Sequence, residues 1–364
     1  MASPHTGGWK VSLLGASTLL GKEVKAVLEE RHLPLQRLQL VDTEDVEGQL
    51  TEFEGEPAIL QPVRSETFQE KDLAIFACRP SFTLQHWRQA QESGCRIIDL
   101  SYFLGIEPRA RHHAPLIEHL GESGTEGVDC RVNPGTIAVS AHPLSIALAG
   151  TLILLSQRAK VVRAAATLFE PASERGQAGV KELHQQTIGV LSFQKVPKKI
   201  FDAQLSFNLL SQNGAQSQPT LRQAQECVTE HLRVLLRGNA PQPAVRLLQA
   251  PVFHGYSFNL WVELAEPVGT VEIEAILDQT PFSLSPASAD QPNVVSAAGS
   301  DSILLGTVER DAANEASFWI WGAFDNLRIA ALNTARIAEQ MMGLASDELP
   351  AHSGHAAGTP PLGS

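Results

Sequence analysis

Asn133, Pro134, Gly135 and Thr136 form a turn between the segment Cys130–Arg131–Val132 and a long uncharged run. A thiol at such a turn, leading into a buried helix, would be activated. Free backbone N–H groups and the helix dipole favour thiolate over thiol there. The chain instead offers Gly135 and Thr136. Threonine lacks an acidic thiol and needs a neighbouring base before it acts as a nucleophile. A second chemical position is the turn Gly15, Ala16, Ser17, Thr18, Leu19, Leu20 and Gly21, between an apolar segment and a helical one. Close backbone approach at Gly15 and free N–H groups at the helix start suit a pyrophosphate; a purely structural tight turn uses the same composition. Asp42 ends the next apolar segment, 21 residues after Gly21. A carboxylate there accepts bonds from a ribose 2′-hydroxyl and repels a 2′-phosphate, favouring NAD over NADP. The nearby Glu44, Asp45 and Glu47 support the simpler reading of Asp42 as a solvated loop acid.

The elements that must position these residues follow from hydrophobic patterning. KVSLL (10–14), LQRLQLVD (35–42), DLAIFAC (72–78) and CRIIDLS (95–101) read as strands. A helix follows the glycine turn through about Glu30, on Val24, Val27 and Leu28, and SFTLQHWRQAQESG (81–94) is another, stopped by Gly94. Strand–helix alternation at this spacing predicts a parallel sheet with right-handed crossovers. The pattern then changes. KVVRAAATLFE (160–170), PVFHGYSFNLWVEL (251–264) and SFWIWGAF (317–324) read as strands, the second alternating as a sheet with one wet face. VKELHQQTIGVL (180–191) and LRQAQECVTEHLRVLL (221–236) are amphipathic helices, and GTVEIEAIL (269–277) fits helix or strand. Strands with helices to one side predict an α+β second domain. NLRIAALNTARIAEQMM (326–342) is a strongly periodic last helix.

The bulk numbers exclude several classes. A net charge of −12 and the absence of a basic run argue against nucleic acid, whose phosphates require clustered Lys and Arg. The cysteines Cys78, Cys95, Cys130 and Cys227 form no CxxC pair, and no His/Cys spacing fits a metal. Free thiols fit a reducing, cytoplasmic setting. His112 and His113, adjacent in sequence, are expected at the surface. Residues Val132 to Gln157 are uncharged and long enough to span a bilayer, but Asn133, Pro134, His142 and Pro143 interrupt them. A buried helix of a soluble core is expected instead, with no membrane partner. The first residues carry no secretory pattern.

FDNLRIAALNTARIAE (324–339), together with GASTLLG (15–21) and the Asn-Pro-Gly turn, resembles the aspartate-semialdehyde dehydrogenase family. PVFHGYS (251–257), GQAGVKELHQQT (176–187) and FNLL (207–210) match in order and spacing, so the resemblance runs from about Lys10 to Met342. It implies a Rossmann-type parallel-sheet domain over 10–135, an α+β dimerisation domain over 136–324, and a C-terminal helix over 325–345 that returns to the first domain. Residues 1–9 and 346–364 are expected to be disordered ends. The implied reaction is NADP-dependent reduction of an aspartyl phosphate through a cysteine thioester, with a histidine as acid and base. The implied partner is a second copy of the chain. Asn326 joins Gly15 to Gly21 and Asp42 as a cofactor contact.

The departures from the family are the main content of this sequence. The nucleophilic cysteine falls at Gly135 or Thr136, depending on a one-residue gap, and the histidine falls at Tyr256. Tyrosine titrates near 10 and is a poor base at neutral pH. Two substrate-binding arginines align with Gln249 and Gly105, a lysine with Glu226 and a glutamine with Glu170. These changes remove the clamp for an anion and add repulsion. On the cofactor side, Thr18 replaces a glycine, TEDVEG (43–48) replaces a 2′-phosphate loop, and Arg79 and Pro80 stand where small residues border the nicotinamide. Cys130 reads as a small core residue. His142 reads as a helix histidine. His254, two residues before Tyr256, would share its face in a regular strand. The expectation is therefore a catalytically degenerate homologue that keeps the fold and dimer, with weak or absent nucleotide binding, NAD favoured over NADP. It pairs with itself or with an active homologue. The alternative is an active NAD(P)-dependent oxidoreductase acting on an aldehyde or acyl group by a non-cysteine mechanism.

Overall fold

The computed structural model describes residues 8–121, 137–285 and 290–344. The first part of the chain runs β1 (Trp9–Leu14), α1 (Leu19–Glu30), β2 (Leu35–Asp42), β3 (Leu50–Phe53), β4 (Glu56–Ile59), β5 (Gln61–Pro62), β6 (Leu73–Phe76), α2 (Pro80–Glu92), β7 (Arg96–Asp99), β8 (Ala110–His113), α3 (Pro115–Glu118) and β9 (Ile137–Ser140). Seven of these strands form one sheet in the order β5-β2-β1-β6-β7-β9-β8, and every pair in it is parallel. Its central strands are apolar along their length because both faces are covered: all four residues of β6 are buried. The glycine turn between β1 and α1 emerges at the carboxyl ends of these strands, where open parallel sheets bind their ligands.

Two expected boundaries move. Trp9 belongs to β1, is 5% exposed and lies under the Arg96 guanidinium at 4.8 Å, so it is not part of a disordered end. The uncharged run is a strand followed by a helix, not one helix. β9 pairs with β7 and β8, which carries the first domain's sheet beyond the expected limit at residue 135. The chain then turns at His142 and enters α4 (Pro143–Arg158), with Pro143 at the first helical position. An all-apolar stretch has no period to distinguish strand from helix. Among the described residues no helix is long and apolar enough to cross a membrane.

The second part contains β10 (Val161–Glu170), α5 (Gly176–Leu191), α6 (Leu221–Leu236), β11 (Ala244–Gln249), β12 (Tyr256–Leu264), α7 (Thr270–Leu277), β13 (Phe282–Leu284), β14 (Ile303–Leu305), β15 (Glu309–Arg310) and β16 (Ser317–Phe324). Its mixed sheet has the order β11-β10-β12-β16-β14-β13, with β15 added on β16. The segment 269–277 is resolved as a helix, α7, which packs with α6 on the buried α4. β12 alternates strictly: Tyr256, Phe258, Leu260, Val262 and Leu264 are buried, while Asn259, Trp261 and Glu263 face the open side. The N-terminal end of that strand carries Tyr256 into the interior.

The last helix, α8 (Asn326–Met342), leaves β16 and returns to the first domain, packing on α1, α3 and β9. Arg328 bonds Glu23 and Glu30 of α1 and Asp301. Deeper in, the buried Asn333 donates to the His113 carbonyl at 3.0 Å and to the Ser140 hydroxyl at 2.9 Å, so one side chain joins α8 to β8 and β9. Losing a buried pair of this kind costs about 1–3 kcal/mol. Asn333→Ala is expected to lower the thermal midpoint by several degrees while leaving the far-UV dichroism of the folded protein unchanged. An unaltered midpoint would show that α8 docks without this contact.

Candidate active site

Six aromatic rings converge between the two sheets. Asp99, at the end of β7, accepts from the Ser101 amide at 2.8 Å, its hydroxyl at 2.6 Å and the Leu104 amide at 2.8 Å. That clamp fixes the loop bearing Tyr102, whose backbone is left-handed with φ 63°. His142 caps α4, its Nδ1 accepting from the Leu144 amide at 3.2 Å. His231 projects from α6, and its Nδ1 accepts from the His142 amide at 2.9 Å. Ring centroids are 5.1 Å apart for Tyr102 and His231, 5.2 Å for Tyr102 and His142, and 5.8 Å for His142 and Tyr256. Tyr256 is 0% exposed and leans on Phe324 at 5.6 Å. His112 joins the cluster at 4.3 Å from His231, and His113 is buried at 2% exposure. Neither is the surface residue expected, because β8 lies beneath α8 and against α6.

A thiol and an imidazole also meet here: Cys227 Sγ lies 3.7 Å from His231 Nε2. Their chemistry is set by the other ring nitrogen. Because His231 Nδ1 accepts a backbone N–H, the ring proton sits on Nε2. The imidazole therefore offers a donor to the sulfur and has no lone pair there to take its proton. Burial pushes the Cys227 thiol up to about 12, and the carboxylates of Glu174 and Asp99 push the same way. Burial likewise holds His142 down to about 3 and His231 well below its usual range. The pair is a neutral thiol beside a neutral imidazole, the reverse of an activated nucleophile.

The carboxylates of Glu170 and Glu174 also act on Tyr256. Glu170, at the end of β10, is buried with Arg175 at 3.3 Å, and Arg175 also donates to the Pro219 carbonyl. Burial raises Glu170 to about 7 against the opposing pull of Arg175. Gln249 donates to the Glu170 carbonyl at 2.8 Å, and so builds the sheet edge rather than a ligand site. Asn326 is 1% exposed and fully committed. It donates to Glu174 at 2.7 Å and Ser173 at 3.1 Å, and accepts from the Gly255 amide at 2.9 Å. The Glu174 carboxyl acts on the Tyr256 hydroxyl, yet that hydroxyl makes no hydrogen bond of ordinary geometry among the described residues.

Other expected residues fall apart in space or outside view. β12 starts at Tyr256, and Gly255 with φ +83° breaks the alternation, so His254 is exposed instead of sharing the buried face. Glu226 is exposed and paired with Arg222 at 2.9 Å. Gly105 sits against His112 Nε2, where a Cβ would approach to 3.2 Å. Thr136, Gly135 and Cys130 lie outside the described residues. Tyr102, Cys227 and His231 were missed by sequence reasoning, since nothing local distinguishes them from core residues.

The glycine turn is largely satisfied from within. A Cβ on Gly21 would meet the Gly15 carbonyl at 2.0 Å, and one on Gly15 would meet the Ala77 carbonyl at 2.5 Å. Both glycines thus serve close packing of the turn. Gly15 and Ala16 donate to the Val41 carbonyl. Ser17 donates to Asp42 Oδ2 at 2.7 Å, so Asp42 is a buried acceptor for the turn rather than a solvated acid. The Thr18 hydroxyl caps α1, accepting from the Gly21 amide at 2.9 Å and donating to the Ala77 carbonyl at 2.9 Å. Leu19 and Leu20, at the first turn of the helix, carry the remaining amides. Arg79 and Pro80 are exposed at the start of α2.

A parallel-sheet domain with a glycine turn, closed by the last helix and followed by an α+β domain, defines a dinucleotide-dependent dehydrogenase architecture. The chain belongs to the semialdehyde dehydrogenase family. Residues 10–122 match its NAD binding domain and residues 155–329 its dimerisation domain. A USG-1 protein homolog of Pseudomonas aeruginosa is 30% identical over 334 residues, covering 91% of this chain and 97% of that protein. The aspartate-semialdehyde dehydrogenase of Rickettsia conorii is 24% identical, covering 93% and 98%. The solved structure of a probable aspartate-semialdehyde dehydrogenase from Pseudomonas aeruginosa superposes with a TM-score of 0.82 at 28% identity, covering 92% of this chain and 98% of that one.

The neutral His142 has a pH consequence. Its folded-state pKa lies below its unfolded value, so its contribution to stability is complete above about 6.5 and is lost as pH falls toward about 3. His142→Asn keeps a capping acceptor. Thermal midpoints measured from pH 7 to pH 4 are expected to fall less steeply in the variant than in the parent. Parallel curves would place His142 in a solvated, titrating environment.

Proposed function

We propose that this chain is a catalytically degenerate member of the semialdehyde dehydrogenase family, retaining fold and dimerisation while having lost the family reaction. The observation that carries this reading is Tyr256. It occupies the position expected for the acid–base histidine, is wholly buried between His142 and Phe324, and burial raises its hydroxyl well above 10. A group so placed neither accepts nor releases a proton at neutral pH. The described thiols support the same reading: burial raises Cys78 to about 12, Cys95 to about 11 and Cys227 to about 12. Gly135 or Thr136, in the position expected for the nucleophile, brings no thiol.

The chain's role is then binding or scaffolding. The open face of the second sheet carries Phe169, Trp261, Trp319 and Trp321, and no helix among the described residues covers it. We assign it to pairing, with a second copy or with an active homologue. Nucleotide binding is weak, because Asp42 and the Thr18 hydroxyl already take amides of the glycine turn. NAD is preferred over NADP, because Asp42 would repel a 2′-phosphate. Free thiols and the absence of a long apolar helix among the described residues support a cytoplasmic setting.

Purified protein is expected to show no phosphate-dependent oxidation of aspartate semialdehyde above background with NAD or NADP. Calorimetric titration should give weaker binding of NADP than of NAD. Thr18→Gly frees the Gly21 amide and is expected to tighten NAD binding. Turnover in the phosphate-dependent assay would overturn the degenerate reading. NAD-dependent turnover of another aldehyde without added phosphate would move the chain to the active, non-cysteine class.

A further inference from the structure

The carboxyl end of α5 holds apolar side chains out in solvent. Phe193 is 98% exposed, Leu191 67% and Ile188 51%, and Ile188 and Leu191 share one face of the helix. The helix closes in a Schellman turn: the Gln194 amide donates to the Gly189 carbonyl at 2.8 Å and the Phe193 amide to the Val190 carbonyl at 3.2 Å. Phe193 thereby takes the left-handed position, with φ 54°, that glycine adopts most readily. A solvent-exposed ring on such a backbone adds nothing to the core. The loop beyond it is pinned to α5. Glu182 accepts from the amides of Lys199 at 2.6 Å, Ile200 at 2.9 Å and Phe201 at 3.1 Å. Gln186 donates to the Pro197 carbonyl at 2.8 Å and to the Ala203 carbonyl at 2.9 Å, and Val196 packs back on Gly189. Lys195, Lys198 and Lys199 are exposed on this loop, and Lys181 is exposed on the helix. From Leu183 to Phe201 there is no Asp or Glu, in a chain of net charge −12. Glu182 is spent on the three amides, and Asp202 accepts from the Gln216 amide at 3.1 Å. Many surface cations elsewhere are paired: Lys10 with Glu70, Arg163 with Glu263, Arg222 with Glu226 and Arg233 with Glu230. Among the described residues none of the four lysines around Phe193 forms an ion pair.

We propose that this end of α5 is a peripheral docking site for an anionic lipid surface. Phe193 and Leu191 enter the headgroup boundary, and the lysines meet the lipid phosphates. The patch projects from the protein and carries no groove, which suits a surface that yields to it. Its composition points the same way. Lysine is depleted at protein–protein contacts, whereas clustered lysines beside an aromatic ring are what an anionic headgroup layer attracts. The acidic remainder of the chain is repelled by such a layer, so the charge distribution orients the molecule with this end toward it. Docking of this kind needs no spanning helix, and the lack of one among the described residues bears on insertion alone. The patch lies away from the sheet face assigned to pairing and uses no residue of the family reaction, so it stands whether or not the chain is degenerate.

The test is sedimentation of the full-length protein with vesicles of phosphatidylcholine alone or mixed with phosphatidylserine, at low salt. Binding to the phosphatidylserine vesicles is expected to exceed binding to phosphatidylcholine by at least about tenfold, and to fall as salt rises. Phe193→Gly relieves the left-handed backbone, so it is expected to raise the thermal midpoint while weakening vesicle binding by about tenfold. Lys198→Glu combined with Lys199→Glu should weaken binding at least as much, with the midpoint unchanged. No sedimentation with phosphatidylserine vesicles, equal binding to both vesicle types, or undiminished binding by either folded variant overturns the assignment. A lowered midpoint in Phe193→Gly overturns it as well, because the ring would then serve the fold. Binding of poly-glutamate that is lost in Phe193→Gly, without binding to vesicles, gives the patch to an acidic protein segment and overturns the lipid assignment.

Discussion

The side-chain amide of Asn326 holds together the junction between the last helix and the second domain's sheet. It reaches the turn after β10 through Ser173 and Glu174, and the turn before β12 through the Gly255 amide, while starting α8 itself. Three segments distant in sequence therefore meet at one buried group. With Gly255 pinned, Tyr256 enters the interior, and β12 delivers its apolar face to the core. Asp325 beside it caps α8 through the Leu327 and Arg328 amides and accepts from Gly299. The closure of the first domain by the last helix and the seating of Tyr256 are consequences of the same junction.

Burial then decides the chemistry. Desolvation disfavours the charged form of every group it covers, raising thiols, phenols and carboxyls and lowering imidazoles. The cluster of Tyr102, His142, His231, Cys227 and Tyr256 is therefore neutral as a whole. Its hydrogen bonds reinforce that state, since both His142 and His231 use Nδ1 as an acceptor for backbone amides. Residue types that look reactive in a list become packing material in place. The same logic applies at the glycine turn, where Asp42 and Thr18 satisfy amides that a phosphate would otherwise take.

Elements with strong local signals were legible. Thr220 and Gln223 form a capping box that starts α6 at Leu221, and the helix ends at Leu236 as the apolar period indicates. β2 and α8 likewise run over Leu35–Asp42 and Asn326–Met342. Where the signal was missing, the reading failed for an identifiable reason. An uncharged stretch concealed the boundary between β9 and α4. A positive φ at Gly255 removed His254 from the face of Tyr256. The burial of His113 came from α8, which lies more than two hundred residues away along the chain. Arg175 and Glu170 form a buried pair, although Glu170 on its own suggested only repulsion.

By itself the sequence determined the layered architecture and the family, because these depend on periodicity, caps and residue identity at motif positions. Only the tertiary structure decided that Cys227 and His231 meet as a neutral pair and that Asp42 serves the turn from within. Proximity, desolvation and tautomer are properties of how distant segments pack, and no local pattern encodes them.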